Sequence, residues 1–268
     1  MMHALHRLAF ILWVVASASA YADEGVLRIA TTTSTVDSGL LTVIVPRFEA
    51  FSGLKVMVTS AGSGAAMKLA EGGKADVVLV HSRADEDAFV RAGFGIDRRD
   101  VMYNDFIILG PPRDPAQVKT ARGLKDALLR IVESGATFVS RGDDSGTHAK
   151  EKACWREAGR EPSSRQYIST GQGMGEVLVT ASNLRGYTLS DRATYSAYRT
   201  RLELDPLVEG DPMLFNPYGV IAVNPARQPQ VNYKGAKQFI DWITGPEGRR
   251  AITDFRVNGQ QLFYPTPQ

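Results

Sequence analysis

Ser140-Arg141-Gly142-Asp143-Asp144-Ser145-Gly146-Thr147-His148 is the stretch whose reading decides the fold. Ala136-Thr137-Phe138-Val139 precede it and read as a buried strand, and Ala149 to Ala158 follow it with helical composition. It is therefore a strand-to-helix turn. Asp144 or Ser145 caps the new helix, Gly146 removes a side chain from its first turn, and the hydroxyls of Ser145 and Thr147 point toward the unpaired amides. A helix N-terminus with free N–H groups binds anions, and Arg141 adds a permanently charged, planar donor fork. The first expectation is an anion site.

Two more turns of the same kind lie upstream. Val26 to Ala30 reads as a short strand running into Thr31-Thr32-Thr33-Ser34-Thr35-Val36-Asp37-Ser38-Gly39. The apolar residues Leu40, Leu41, Ile44, Val45, Phe48 and Phe51 then fall at helical spacing, which predicts a helix over 40–51 capped by Asp37 or Ser38. Lys55 to Ser60 predicts the next strand, and Ala61-Gly62-Ser63-Gly64 opens a helix over about 65–71. The glycines there let a ligand approach the backbone closely. Asp76 to Val80 predicts the next strand: after Asp76 it is an unbroken apolar run, the mark of a buried parallel strand, and it ends at His81, read as a structural histidine.

Strands alternating with helices at this spacing predict an α/β fold with parallel strands. The strand Phe106 to Leu109 ends at Gly110-Pro111-Pro112, read as a first crossing between two lobes, and Leu207 to Pro212 is read as the return. The expected division is residues 23–111 with 208–268 as one lobe and 112–207 as the other. In open α/β sheets ligands sit beyond the carboxyl ends of the strands, so the three turns can converge on one cleft.

Residues 1–22 read as a cleaved secretory signal: Arg7, an apolar Leu8 to Val15 too short to span a bilayer, then small residues ending in Ala20-Tyr21-Ala22. Cleavage after Ala22, or after Ala20, gives a free periplasmic protein. The leader holds one of the 31 Lys+Arg and none of the 29 Asp+Glu, which leaves the mature chain at +1 and argues against a nucleic-acid binder. Cys154 is the only cysteine, so no internal disulfide forms and the thiol reads as a small buried apolar group.

Other chemistries fit poorly. Gly171-Gln172-Gly173-Met174-Gly175 carries Glu176 where a dinucleotide fingerprint needs its third glycine. A secreted serine hydrolase using Ser145 would need a base, and His148, three residues on, is too close in sequence to serve in a triad. Two mature histidines and one cysteine do not make a metal site. No catalytic residues, cofactor or cation ligands are expected, and the chain reads as a non-enzyme and a monomer.

Thr31-Thr32-Thr33-Ser34 together with Ser140 to His148 resembles the tungstate-binding proteins of bacterial tungstate ABC transporters. Gly171 to Glu176, Tyr187-Thr188-Leu189-Ser190-Asp191-Arg192 and Asn216-Pro217-Tyr218-Gly219 extend the resemblance along the mature chain. It implies a type II periplasmic binding fold: two lobes, each with a central mixed sheet flanked by helices, joined by a two-strand hinge and closing on an oxyanion delivered to a membrane permease. Carried onto this sequence, the anion contacts it implies are Thr32, Thr33, Ser34, Ser63, Arg141, Ser145, Gly146 and Thr147. Ser63 and Ser190 stand where that family often has threonine. The residues by themselves argue for an oxyanion; only the resemblance supplies tungstate. Molybdate shares its charge and nearly its size, sulfate is smaller, and phosphate carries a proton that would need an acceptor such as Asp143 or Asp144.

Overall fold

The computed structural model describes residues 25–267, so the proposed signal over 1–22 lies outside the described residues. The first half of the chain is three strand-to-helix units. Strand β1 (Val26–Thr32) leads into a one-turn helix α1 (Thr33–Asp37) and then α2 (Leu41–Ser52). Strand β2 (Lys55–Ala61) leads into α3 (Ser63–Glu71), and β3 (Val77–Val80) into α4 (Arg83–Arg91). The long β4 (Gly95–Gly110) follows.

The helix expected over 40–51 forms as α2, but neither Asp37 nor Ser38 is its N-cap, which falls on Leu40, and the one-turn α1 precedes it. Thr32 caps α1 by accepting the Thr35 N–H at 3.2 Å, and the Ser38 hydroxyl donates to the Thr35 carbonyl at 2.7 Å. Gly39 then turns the chain at φ 80° before α2 begins. The hydroxyl run offers local backbone partners that compete with a continuous helix, and it takes them.

The second half repeats the pattern: α5 (Leu124–Glu133), β5 (Phe138–Ser140), α6 (Gly146–Ala158), β6 (Tyr167–Ser169), α7 (Met174–Leu184), β7 (Thr188–Asp191) and α8 (Arg192–Tyr198). Strands β8 (Asp205–Val208) and β9 (Phe215–Val223) lead back, and helices α9 (Tyr233–Thr244) and α10 (Pro246–Asp254) close the structure.

Sheet pairing explains how distant turns meet. Strand β1 lies between β2 and β3, parallel to both, with Val26 opposite Lys55 and Ile29 opposite Val77. Strand β9 enters antiparallel between β3 and β4, and Tyr264–Pro265 covers the far edge of β4. Strand β4 changes partners part-way along: Asp105 still faces Phe215 of β9, but Phe106 to Leu109 pair with β7 and Ile108 to Gly110 with β8. Strand β5 pairs in parallel with β6 and bridges Phe138 to Tyr187. Strand β4 thus joins β9 and the strands beyond it to β7 and β8. The β4 strand also begins earlier than the apolar run Phe106 to Leu109 suggests, because the charged stretch around Arg98 to Asp100 still pairs with β9, with the irregularity taken up at Asp97 (φ 54°).

Alternation along these strands fills a core on each face. Leu27, Ile29, Val77 and Leu79 meet Phe48 of α2 and Phe239 of α9, whose rings cross edge to face at 5.0 Å, while Ala30, Val78 and Val80 face α3 and Phe89 of α4. Beyond the change of partners, Phe106 and Ile108 pack with Phe138 and Trp155, and Ile107 and Leu109 pack with Met174 and Leu178. Each such large side chain contributes about 1.5–3 kcal/mol on burial. Cys154 is buried in this second core, and burial pushes its thiol up to about 11, so it serves as packing.

Candidate functional site

The carboxyl ends of β1, β2, β3, β5 and β7 open onto the starts of α1, α3, α4, α6 and α8. The first-turn amides of these helices have no intrahelical acceptor. Helix α6 is capped by Ser145 (φ −69°, ψ 169°), whose Oγ accepts the His148 N–H at 3.2 Å; Asp144 is not the cap. Asp144 sits in the left-handed region at φ 55°, is exposed, and reaches Lys152 at 3.0 Å. Behind the turn the buried Glu151 takes hydrogen bonds from Ser140 Oγ at 2.7 Å and Tyr167 Oη at 2.5 Å, pinning α6 to the end of β5.

Asp143 orients the arginine. Its Oδ2 accepts from Arg141 Nε at 3.1 Å and Nη2 at 2.5 Å, and its Oδ1 accepts the Ser145 N–H at 3.2 Å. Burial works against its charge, but the bonds from Ser145 and Arg141 outweigh it and hold the carboxyl below its ordinary value. Arg141 is only 2% exposed, and its Nη2 donates to Thr33 Oγ1 on α1 at 3.2 Å. That bond leaves the proton of Thr33 free to be given onward.

Helix α3 approaches from the other side. A Cβ built on Gly146 would stand 2.7 Å from Ser63 Oγ and 3.3 Å from His81 Cε1, and one on Gly62 would stand 3.5 Å from Ser145 Cα. Two helix starts therefore face each other, with glycine at each point of closest approach. Ser63 Oγ and Thr147 Oγ1 are buried there without a hydrogen-bond partner among the described residues. Native proteins leave few such groups unsatisfied, and each costs about 1–3 kcal/mol.

All eight residues expected from the sequence come together: Thr32, Thr33, Ser34, Ser63, Arg141, Ser145, Gly146 and Thr147. Their roles differ. Thr32 and Ser145 spend acceptor capacity on helix caps, whereas Ser63, Thr147 and Thr33 keep a proton to offer. Sequence reading missed the layer beneath. His81 Nε2 lies 3.2 Å from both Thr32 Oγ1 and Ser34 Oγ, its Nδ1 is 3.0 Å from Asn216 Oδ1, and Asn216 Nδ2 donates to Asn104 Oδ1 at 2.7 Å. Burial, then the positive Arg141 and Lys150, push the imidazole down to about 4, so it is neutral at pH 7. Asp191 caps α8 through Thr194 N–H at 2.8 Å, is fully buried, and is pushed up to about 6 by that burial. The position of His81 at a strand end was the one local signal; Asn104 and Asn216 gave none.

Among the described residues His148 does not serve Ser145 as a base: its Nδ1 accepts the Asp144 N–H at 3.0 Å. Among the described residues no group of three or more His, Cys, Asp or Glu could hold a metal ion.

The model of the PBP superfamily domain matches residues 17–247. A tungstate-binding protein, TupA, of Peptoclostridium acidaminophilum is 46% identical over 246 residues, covering 90% of this chain and 86% of that protein. The chain belongs to the PBP superfamily, within the family of TupA proteins. The crystal structure of the tungstate ABC transporter from Geobacter sulfurreducens superposes with a TM-score of 0.81 at 50% identity, over 87% of this chain and 99% of that one. The tungstate-binding protein TupA of Desulfovibrio alaskensis G20 gives 0.79 at 43% identity, over 91% and 99%. The mixed α/β sheet with flanking helices is thus the fold of this family, and its members are solute-binding proteins rather than enzymes.

Proposed function

We propose that this chain captures tungstate as a tetrahedral dianion and delivers it to an ABC permease. The observation that carries the reading is the pair of buried, unpartnered hydroxyls, Ser63 Oγ facing Gly146 and Thr147 Oγ1 on the next residue, at the turn that also holds the buried Arg141. Donors without acceptors fit a ligand that consists of acceptors. Arg141, the hydroxyls of Thr33, Ser34, Ser63 and Thr147, and the first-turn amides of α3 and α6 would supply the bonds, with Thr32 and Ser145 holding the turns in place and Gly146 giving room. Each bond to a charged oxygen contributes roughly 1.5–3 kcal/mol. Together they offset the several kcal/mol lost in desolvating the anion.

A fully deprotonated oxyanion suits the site better than phosphate. Asp143 is occupied by Arg141 and the Ser145 amide, and Asp144 faces solvent, so neither is free to accept a phosphate proton. The two lobes are assigned as 23–111 with 208–268 and 112–207, and the anion cross-links them because Arg141 belongs to one and Ser63 to the other. Among the described residues no helix is long and apolar enough to cross a membrane. Export through the leader at 1–22 and a periplasmic location complete the proposal.

Calorimetric titration of the ligand-free protein with tungstate, molybdate, sulfate and phosphate tests it. Tungstate binding well above the others is expected. A response to phosphate alone, or to none of the four, would overturn the reading.

A further inference from the structure

A hydroxyl has one proton to give, so an anion site built from hydroxyls works only if something decides where those protons point. The pair Thr32 Oγ1 and Ser34 Oγ, 3.1 Å apart, both lie 3.2 Å from a single ring nitrogen, His81 Nε2. The other ring nitrogen bears on what Nε2 does. Asn216 donates its Nδ2–H to Asn104 Oδ1, which turns its own Oδ1 toward His81 Nδ1. An oxygen there accepts, so Nδ1 carries the proton and Nε2 presents a lone pair.

We propose that His81, with its proton on Nδ1, is a positioning residue for the anion: its Nε2 takes the proton of Thr32 Oγ1, which also lies 2.6 Å from Thr35 Oγ1, and so leaves Ser34 to direct its hydroxyl into the site. The inference rests on the oxyanion reading of that site. The ring is fixed on every side. It packs against Tyr218 at 4.7 Å between centroids, tilted by 32°, and lies 6.2 Å from the Phe106 ring, and its Cε1 edge bounds the start of α6 at Gly146. Asn104 and Asn216 stand directly opposite each other on β4 and β9, so the imidazole ties the first hydroxyl turn to the two strands on which the sheet changes partners. Had Nε2 carried the proton instead, it would donate to these hydroxyls, and Asn216 Oδ1 would face a lone pair at 3.0 Å.

The test uses two substitutions that mimic different halves of the imidazole. His81→Asn keeps an amide near Nδ1 and loses Nε2, whereas His81→Gln places an amide oxygen where Nε2 stood. With sodium tungstate as the titrant, His81→Asn is expected to weaken binding roughly 10- to 100-fold, the range for one bond to a charged oxygen. His81→Gln is expected to stay within about threefold of wild type on the same scale, and both should keep the ligand-free unfolding midpoint. Imidazole ¹⁵N NMR of the wild-type protein at pH 7 supplies a measurement that needs no variant, with the neutral Nδ1–H tautomer expected for His81. Wild-type affinity in His81→Asn, equal losses in both variants, or an Nε2–H tautomer would overturn the inference. A wild-type protein that ignores tungstate would instead overturn the functional reading on which it stands.

Discussion

Gly146→Ala is the sharpest test of how the two helix starts meet. The new methyl would stand 2.7 Å from Ser63 Oγ and 3.3 to 3.4 Å from the His81 ring. The ring cannot retreat, because it is bonded at both nitrogens and packed against Tyr218. Ser63 can rotate away, but then its hydroxyl no longer faces the site; alternatively the two helix starts separate by about half an ångström, which stretches bonds to the anion on both sides. Losing one or two bonds to a charged oxygen amounts to about 2–5 kcal/mol, or roughly 30- to 5,000-fold in affinity. The backbone at Gly146 is not in the left-handed region, and alanine is the better helix former, so the ligand-free fold should not suffer. Calorimetry with tungstate, paired with thermal unfolding in its presence and absence, separates the two effects. The expected result is an unchanged midpoint without ligand and a greatly reduced upward shift with it. Wild-type affinity in this variant would refute the close approach of α3 and α6.

Three further outcomes follow from the same geometry. Ser63→Ala removes a buried hydroxyl that has no protein partner, so stability without ligand should hold or rise while tungstate binding weakens by about tenfold; a clear loss of unliganded stability would mean that Ser63 already bonds within the protein. Arg141→Gln should lower affinity more than any single hydroxyl change, by about 100-fold or more, and a titration matching wild type would remove the guanidinium from the site. Asp191→Asn keeps the α8 cap but removes an acid pushed up to about 6 by burial. A folded-state value raised above 3.8 favours the protonated form, so its contribution is present at low pH and lost as pH rises toward 6. The variant should therefore gain more in unfolding midpoint at pH 7.5 than at pH 4.5, and an equal change at both would show that the carboxyl titrates normally.

Much of the site was legible because it is local. Hydroxyls and glycines strung between a strand and a helix announce donors within nine residues, and Arg141 sits in the same string as Ser145 and Thr147. Fold class followed from periodicity for the same reason. What stayed hidden depends on pairing across the chain. His81 meets Asn216, 135 residues away, only because β3 and β9 are neighbours, and Asn104 joins them through the register of β4. The short helix α1 was hidden for another reason: its capping hydroxyls are the residues that propensity assigns to a strand end. Asp143 and Asp144 are adjacent and identical, and only the left-handed backbone of Asp144 decides that one faces Arg141 and the other solvent.

The unpartnered hydroxyls of Ser63 and Thr147 also say something about the molecule without cargo. On the proposed two-lobe reading, closing the cleft around nothing strands both groups away from water, at about 1–3 kcal/mol each. Closure in the empty protein is thereby biased against by the same two atoms that reward it when an anion arrives. Shape becomes a faithful signal of occupancy, and a permease that engages only the closed form would spend few turnovers on receptors with nothing to deliver.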